Sequence, residues 1–181
     1  GIYRDDGAAS IGSVMTISLF ELFKIGVGPS SSHTVGPMVA ARRFTVWLDE
    51  QALLARTVHV EADLYGSLAL TGKGHAADTA IVAGLAGEIP ASTSLGAITA
   101  HWDRATNEGL LYLLGRQRVG FQPARDLHFQ MRQRQPFHSN AVSFTARDGD
   151  GEILAKRMYF SIGGGFVVDE YEAGRNSRGA E

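Results

Sequence analysis

The spacing of apolar residues predicts an ordered series of helices and strands that begins near Met15. The stretch "MTISLFELFKIG" is mostly apolar, and Ser18 with Glu21 three residues later matches a capping box, so we expect a short helix over 18–24. The apolar positions of "TVGPMVAARRFTVWLDEQALLAR" fit one helical face and predict a long helix over about 34–54.

The middle of the chain alternates between predicted strands and helices. "RTVHVEADLYG" places apolar and polar residues in strict alternation, which predicts a strand with one buried face. "HAADTAIVAGLAGEIP" is rich in alanine and predicts a helix, and "SLGAITAHWDRATNEG" gives a weaker helical pattern. "VGFQPARDLHFQM" favours a strand over 119–131.

The C-terminal third predicts two strands joined by the turn "DGDG", followed by a turn with three glycines. Residues 172–181 are polar, and we expect a loose tail there. Residues 1–14 show no period, and we expect an added or disordered extension. The remaining segment, 15–171, is interpreted as one domain with an α/β (α+β layered) fold.

Composition narrows the class of protein. Hydrophobic residues make up 44% of the 181 residues, the formal net charge is −2, and there is no cysteine. The charge predicts no attraction to nucleic acid or to an anionic membrane. The absence of cysteine excludes disulfides and thiolate metal sites held by this chain alone. No apolar run approaches the roughly 18 residues of a membrane span, and no signal-peptide pattern begins the chain, so we expect a cytoplasmic protein.

A first polar cluster lies in "GVGPSSSHTVGPM", immediately before the long predicted helix. Its members are Ser30, Ser31, Ser32, His33 and Thr34. The N-terminus of a helix favours a carboxylate or a phosphate, so these hydroxyls could cradle a small anion. Simple N-capping remains an alternative. A Ser32–His33 nucleophile pair is disfavoured because no acidic partner is apparent.

A second cluster follows the first predicted strand, in "YGSLALTGKGHAAD". The strand ends at Gly66-Ser67, and His75 stands at the start of the next predicted helix, where the helix dipole favours a neutral imidazole suited to act as a base. The glycine spacing differs from that of a phosphate-binding P-loop. An exposed histidine on a capped helix remains the alternative.

Two further motifs lie near the C-terminus. In "PFHSNAVSF", His138 and Asn140 are two residues apart and would share one face of a strand, where the amide could hold a carboxylate or an amine. A polar turn is the alternative. In "YFSIGGGFV", three glycines permit close approach of a ligand or another chain, and a bulge is the alternative. His59, His101 and His128 are expected at the surface.

These four motifs, in this order from Met15 to about Glu170, resemble the β domain of bacterial iron–sulfur-dependent L-serine dehydratases, also called L-serine ammonia-lyases. The resemblance implies a mixed sheet with helices packed on it, similar to the allosteric substrate-binding domain of D-3-phosphoglycerate dehydrogenase. It also implies conversion of L-serine to pyruvate and ammonia without pyridoxal phosphate.

The resemblance further implies a 4Fe–4S cluster that polarises the substrate hydroxyl and is bound by a separate α domain. Because this chain has no cysteine, it looks like a β domain or a separate β subunit. The expected partners are L-serine, the iron–sulfur α domain and a second copy in a homodimer, with no nucleic acid and no membrane. We expect the isolated chain to be folded but inactive.

Residue by residue, the resemblance assigns the catalytic histidines to His75 in "GKGHAAD" and His138 in "HSN". Asn140 and the serine-rich loop from Ser30 to Thr34 would line the substrate pocket. The chain departs from the family pattern at Ala77, where relatives often carry threonine, so a hydroxyl is missing there. A regulatory module that binds serine or another small anion, without chemistry, is the alternative function.

Overall fold

The computed structural model describes residues 33–72 and 76–178. The helices in this part of the chain are α1 (Val35–Glu50), α2 (Gly66–Gly72), α3 (Ala77–Leu85), α4 (Leu95–Glu108), α5 (Pro123–Asp126) and α6 (Glu170–Arg178). The strands are β1 (His59–Tyr65), β2 (Leu110–Leu113), β3 (Gln117–Gly120), β4 (Leu127–Gln130), β5 (Ala141–Arg147), β6 (Ile153–Gly163) and β7 (Phe166–Asp169).

The described strands form one mixed sheet in the order β2-β3-β1-β5-β6-β7. Strand β5 runs antiparallel to β1 along its whole length. The other edge of β1 is shared by two parallel partners, because β3 pairs at its start and β4 pairs along its second half. This mixed sheet with helices confirms the predicted α+β layered fold. None of the described helices is long and apolar enough to cross a membrane.

The core lies between the sheet and helices α1 and α3. The alternation read in β1 is confirmed, since Val60, Ala62 and Leu64 are fully buried, whereas Glu61 and Asp63 are partly exposed. Phe44 of α1 stacks on Phe144 of β5 with ring centroids 5.3 Å apart. Burial of each such side chain contributes roughly 1.5–3 kcal/mol.

Two elements differ in extent from the prediction. Helix α1 ends at Glu50 and not near residue 54, because the chain turns at Ala52, which has a φ of 57°. The predicted strand over 119–131 is interrupted by the helical turn α5, which begins at Pro123. Proline lacks the N–H that a strand would use, so the strand divides into β3 and β4.

The C-terminal segment is helical through Arg178, although we expected a loose tail from residue 172. Asp169 explains the difference, because its carboxylate accepts the backbone N–H groups of Tyr171 and Glu172 at 2.9 and 2.8 Å. The Glu172 carboxylate in turn accepts the Asp169 N–H at 2.7 Å, which completes a capping box. Residues 179–181, residues 1–14 and the predicted helix over 18–24 lie outside the described residues.

The three histidines expected at the surface are half-buried, and each contacts a carboxylate. The pairs are His59–Asp126 at 2.8 Å, His101–Glu88 at 2.9 Å and His128–Asp63 at 3.2 Å. These histidines therefore connect neighbouring elements of the fold.

Candidate active site

The described parts of the first three sequence motifs meet where β1 ends and β5 begins. These strands are antiparallel, and Tyr65 at the end of β1 pairs with Ala141 at the start of β5. Chain order therefore places Gly66-Ser67 beside the residues that precede β5. The residues before α1, including His33, complete the site from a third part of the chain.

Four side chains form what we call the polar cluster: His33, Ser67, His138 and Asn140. The Nε2 atom of His33 lies 3.3 Å from Oδ1 of Asn140 and 3.4 Å from Oγ of Ser67. The Ser67 hydroxyl donates a hydrogen bond to the same Asn140 oxygen. All four residues are partly exposed, so the cluster is open to a small ligand.

Asn140 anchors the cluster through its backbone as well as its side chain. Its N–H donates to Nδ1 of His138 at 3.0 Å. Its carbonyl accepts the N–H of Ser161 in β6 at 2.9 Å. The polar residues of the "HSN" motif are therefore held in place by the sheet.

Gly66 allows the end of β1 to pass close beneath the same motif. Its φ is 55°, and a Cβ atom at this position would lie 2.2 Å from the carbonyl oxygen of Ser139. No side chain fits at that distance, and L-residues with a Cβ disfavour this backbone angle. Glycine at this position is what allows Ser67 to reach Asn140.

The fourth motif, the triple-glycine turn, lies against the start of α1. Gly163, Gly164 and Gly165 all have positive φ angles, and the ladder between β6 and β7 shifts register there. A Cβ at Gly165 would lie 3.0 Å from Cγ1 of Val35, the first residue of α1. The irregular ladder agrees with the bulge that was the alternative interpretation of this motif. The close approach seen here is to α1 of the same chain, and approach of a ligand or another chain stays a prediction.

The N-terminus of α1 lacks the side-chain cap that the residue before it, Thr34, could provide. Thr34 occupies the capping position, yet its side chain makes no capping hydrogen bond, and the first turn of α1 contains no acidic residue. The residue is 2% exposed, and its hydroxyl has no hydrogen-bond partner within the described ranges. A buried hydroxyl left without a partner costs about 1–3 kcal/mol, and the backbone N–H groups at this helix end favour an anion.

Comparison with known proteins identifies the family. A profile described as the serine dehydratase beta chain matches residues 18–172. The chain belongs to this family. The resemblance carried by the four motifs is thereby confirmed.

The similar proteins are named L-serine dehydratases. The chain is 46% identical over 159 residues to L-serine dehydratase TdcG of Escherichia coli (strain K12). The matched region covers 87% of this chain and 35% of that protein. It is 45% identical to L-serine dehydratase 1 of the same organism, over 89% of this chain and 35% of the relative. It is 41% identical to L-serine dehydratase of Streptomyces coelicolor (strain ATCC BAA-471 / A3(2) / M145), over 88% of this chain and 35% of that relative. The chain thus spans about a third of each relative.

The site of this serine dehydratase beta chain includes some, but not all, of the residues predicted from sequence. His33, His138 and Asn140 come together, and Thr34 follows His33 at the start of α1. Ser30, Ser31, Ser32 and His75 lie outside the described residues, and their roles stay predictions. Sequence reasoning did not assign a role to the Ser67 hydroxyl, although the Gly66-Ser67 pair at a strand end was the signal that could have found it.

The side chains of this beta chain do not fit an iron–sulfur cluster. The 181-residue sequence has no cysteine to supply thiolate ligands. Within residues 33–72 and 76–178, no group of three or more His, Asp and Glu side chains is arranged to hold a metal ion.

A second depression, of about 210 Å³, lies between α1, β6 and the end of β7. Its Arg157 guanidinium stacks 4.5 Å from the Trp47 ring centroid and pairs with Asp169 at 3.0 Å. Arg43 pairs with Glu172 at 3.1 Å. Because carboxylates already neutralise both cations, we interpret this region as the anchor of α6 on the fold.

Proposed function

We propose that this chain is the β half of an iron–sulfur L-serine dehydratase that converts L-serine to pyruvate and ammonia. The observation that carries the proposal is the polar cluster, in which motifs distant in sequence converge on one small open site. Family membership and the names of the relatives support the same substrate. The proposal includes a separate α domain or subunit that binds a 4Fe–4S cluster, a cytoplasmic location and a homodimer.

Substrate binding uses the chemistry available at this end of the sheet. The carboxylate of L-serine would lie at the N-terminus of α1, where the buried Thr34 hydroxyl has no described partner. The Asn140 oxygen already accepts hydrogen bonds from Ser67 and His33, which leaves its amide nitrogen to donate to the substrate. We assign the remaining pocket-lining roles to Ser30, Ser31, Ser32 and His33.

Proton transfer is assigned to the histidines of the second and third motifs, His75 and His138. A base removes the α-proton, the hydroxyl takes up a proton and leaves as water, and the resulting enamine tautomerises to an imine, which adds water and releases ammonia to give pyruvate. The iron–sulfur cluster of the α domain supplies Lewis-acid polarisation of the hydroxyl when it is bound. The proposed reaction does not use pyridoxal phosphate.

The alternative is a regulatory module that binds serine or another small anion. The helix N-terminus at Thr34, whose hydroxyl has no hydrogen-bond partner among the described residues, favours it as well, because anion binding there requires no chemistry. The likeness to the allosteric substrate-binding domain of D-3-phosphoglycerate dehydrogenase stays a prediction.

Alanine substitution of His75 and of His138 in the complete enzyme separates these two functions. Loss of a proton-transfer group should lower kcat at saturating L-serine by about 10²-fold or more. The matched control is His101→Ala, because His101 pairs with Glu88 and lies outside the polar cluster. Unchanged kcat in both site variants would refute the catalytic role and favour regulation.

A further inference from the structure

We propose that His138 acts as a neutral hydrogen-bond donor to the substrate carboxylate through Nε2–H, and not as the base. This inference rests on the proposed function and replaces one part of it, the proton transfer assigned there to His138. The observation behind it is the hydrogen bond from the Asn140 backbone N–H to Nδ1 of His138, at 3.0 Å.

The bond fixes which ring nitrogen carries the proton. A backbone N–H can only donate, so Nδ1 of His138 must present its lone pair. The single proton of the neutral ring is therefore on Nε2. A second proton could be added only at Nδ1, where it would face the Asn140 N–H and break the bond. A ring held in this way can donate readily, but it cannot accept a proton without losing its anchor.

The surrounding structure keeps the Asn140 N–H in place. The carbonyl of Asn140 is bound to Ser161 of β6, and its side chain is bound by Ser67 and His33. The next residue begins β5 and pairs with the end of β1. These contacts fix the position of Asn140 and, with it, the N–H group that binds His138.

A neutral donor suits the charge that develops during the reaction. When the α C–H bond breaks, negative charge spreads onto the carboxylate oxygens until the C–O bond of the leaving hydroxyl breaks. A fixed N–H group directed at one of these oxygens stabilises that charge without gaining or losing a proton. The α-proton then goes to a different base, for which His75 is the candidate from the sequence.

The tautomer can be measured without any activity. Nitrogen-15 NMR spectra of the chain labelled at its histidines should show an unprotonated Nδ1 and a protonated Nε2 for His138 at neutral pH. The His138 signals are assigned by their loss in His138→Gln. A protonated Nδ1, in either a neutral or a charged ring, would overturn the inference. The spectrum stays informative even if the complete enzyme forms no pyruvate, in which case only the proposed function fails.

Kinetics of three variants in the complete enzyme test the role. In His138→Gln, the amide nitrogen replaces Nε2 as a hydrogen-bond donor and cannot act as a base. His138→Asn places its donor near the position of Nδ1 instead. His138→Ala has no side-chain donor. We expect the glutamine variant to retain kcat within about tenfold of wild type, and the other two to lose about 10²–10³-fold. A glutamine variant as inactive as the alanine variant would show that His138 transfers a proton.

Discussion

Asn140 connects more of the candidate site than any motif in the sequence suggested. Its side chain meets His33, which is 107 positions earlier, and Ser67, which is 73 positions earlier. Sequence reasoning named His33, His138 and Asn140 because each stands at the end of a predicted element. It could not predict their contacts, because contacts over such separations depend on strand pairing and register, which no local pattern encodes. The Ser67 hydroxyl was missed for the same reason.

At the residue scale, Gly66→Ala should destabilise the protein. The substitution combines a positive φ with a Cβ 2.2 Å from the Ser139 carbonyl oxygen, and we expect a loss of about 2–5 kcal/mol in the free energy of unfolding. The matched control is Gly115→Ala, which has a similar φ of 69° but no atom within 4 Å of the added Cβ. The free energy of unfolding of this control should fall by only about 1 kcal/mol. Urea unfolding measures both, and equal losses would show that the close approach to Ser139 is unimportant.

At the element scale, helices and strands with a strong period were predicted well, and interrupted or capped elements were not. Strand β1 and helix α3 lie where the pattern placed them. The break between β3 and β4 was signalled by Pro123, but apolar residues on both sides favoured one continuous strand. The helix α6 was missed because its residues are polar, and its stability comes from the Asp169–Glu172 capping box and from Arg43.

The junction between α5 and β1 should make stability depend on acid. Burial alone would raise the pKa of Asp126, but hydrogen bonds from Arg125, from the Gln122 N–H and from His59 outweigh it and hold that pKa below its usual value. A carboxyl with a lowered pKa in the folded state contributes stability above its unfolded pKa of about 3.9. That contribution disappears as the pH falls through the folded-state pKa.

Replacement of this carboxylate tests the sign of the effect. Asp126→Asn should lower the free energy of unfolding at neutral pH and should flatten its decline between about pH 5 and pH 2 relative to wild type. Asp103→Asn, at an exposed position of α4, is the control and should follow wild type. Denaturant unfolding across this pH range gives both curves, and parallel wild-type and Asp126→Asn curves would contradict the assignment.

At the scale of the whole molecule, the described parts of all four motifs lie at one end of a single mixed sheet. The order of predicted helices and strands was enough to predict the layered fold class. The strand order was not predictable, because β1 takes both parallel and antiparallel neighbours. The site opens at the junction of α1, β1 and β5, and the chain covers only about a third of its relatives.

Pyruvate release from L-serine tests this account most directly. It should be measured without oxygen, using the chain alone and the chain mixed with an iron–sulfur α domain whose assembly and intact cluster are checked. The account predicts that pyruvate forms only in the mixture, because this chain has no cysteine to hold the cluster. Pyruvate formation by the chain alone, or none from an assembled mixture with an intact cluster, would contradict it.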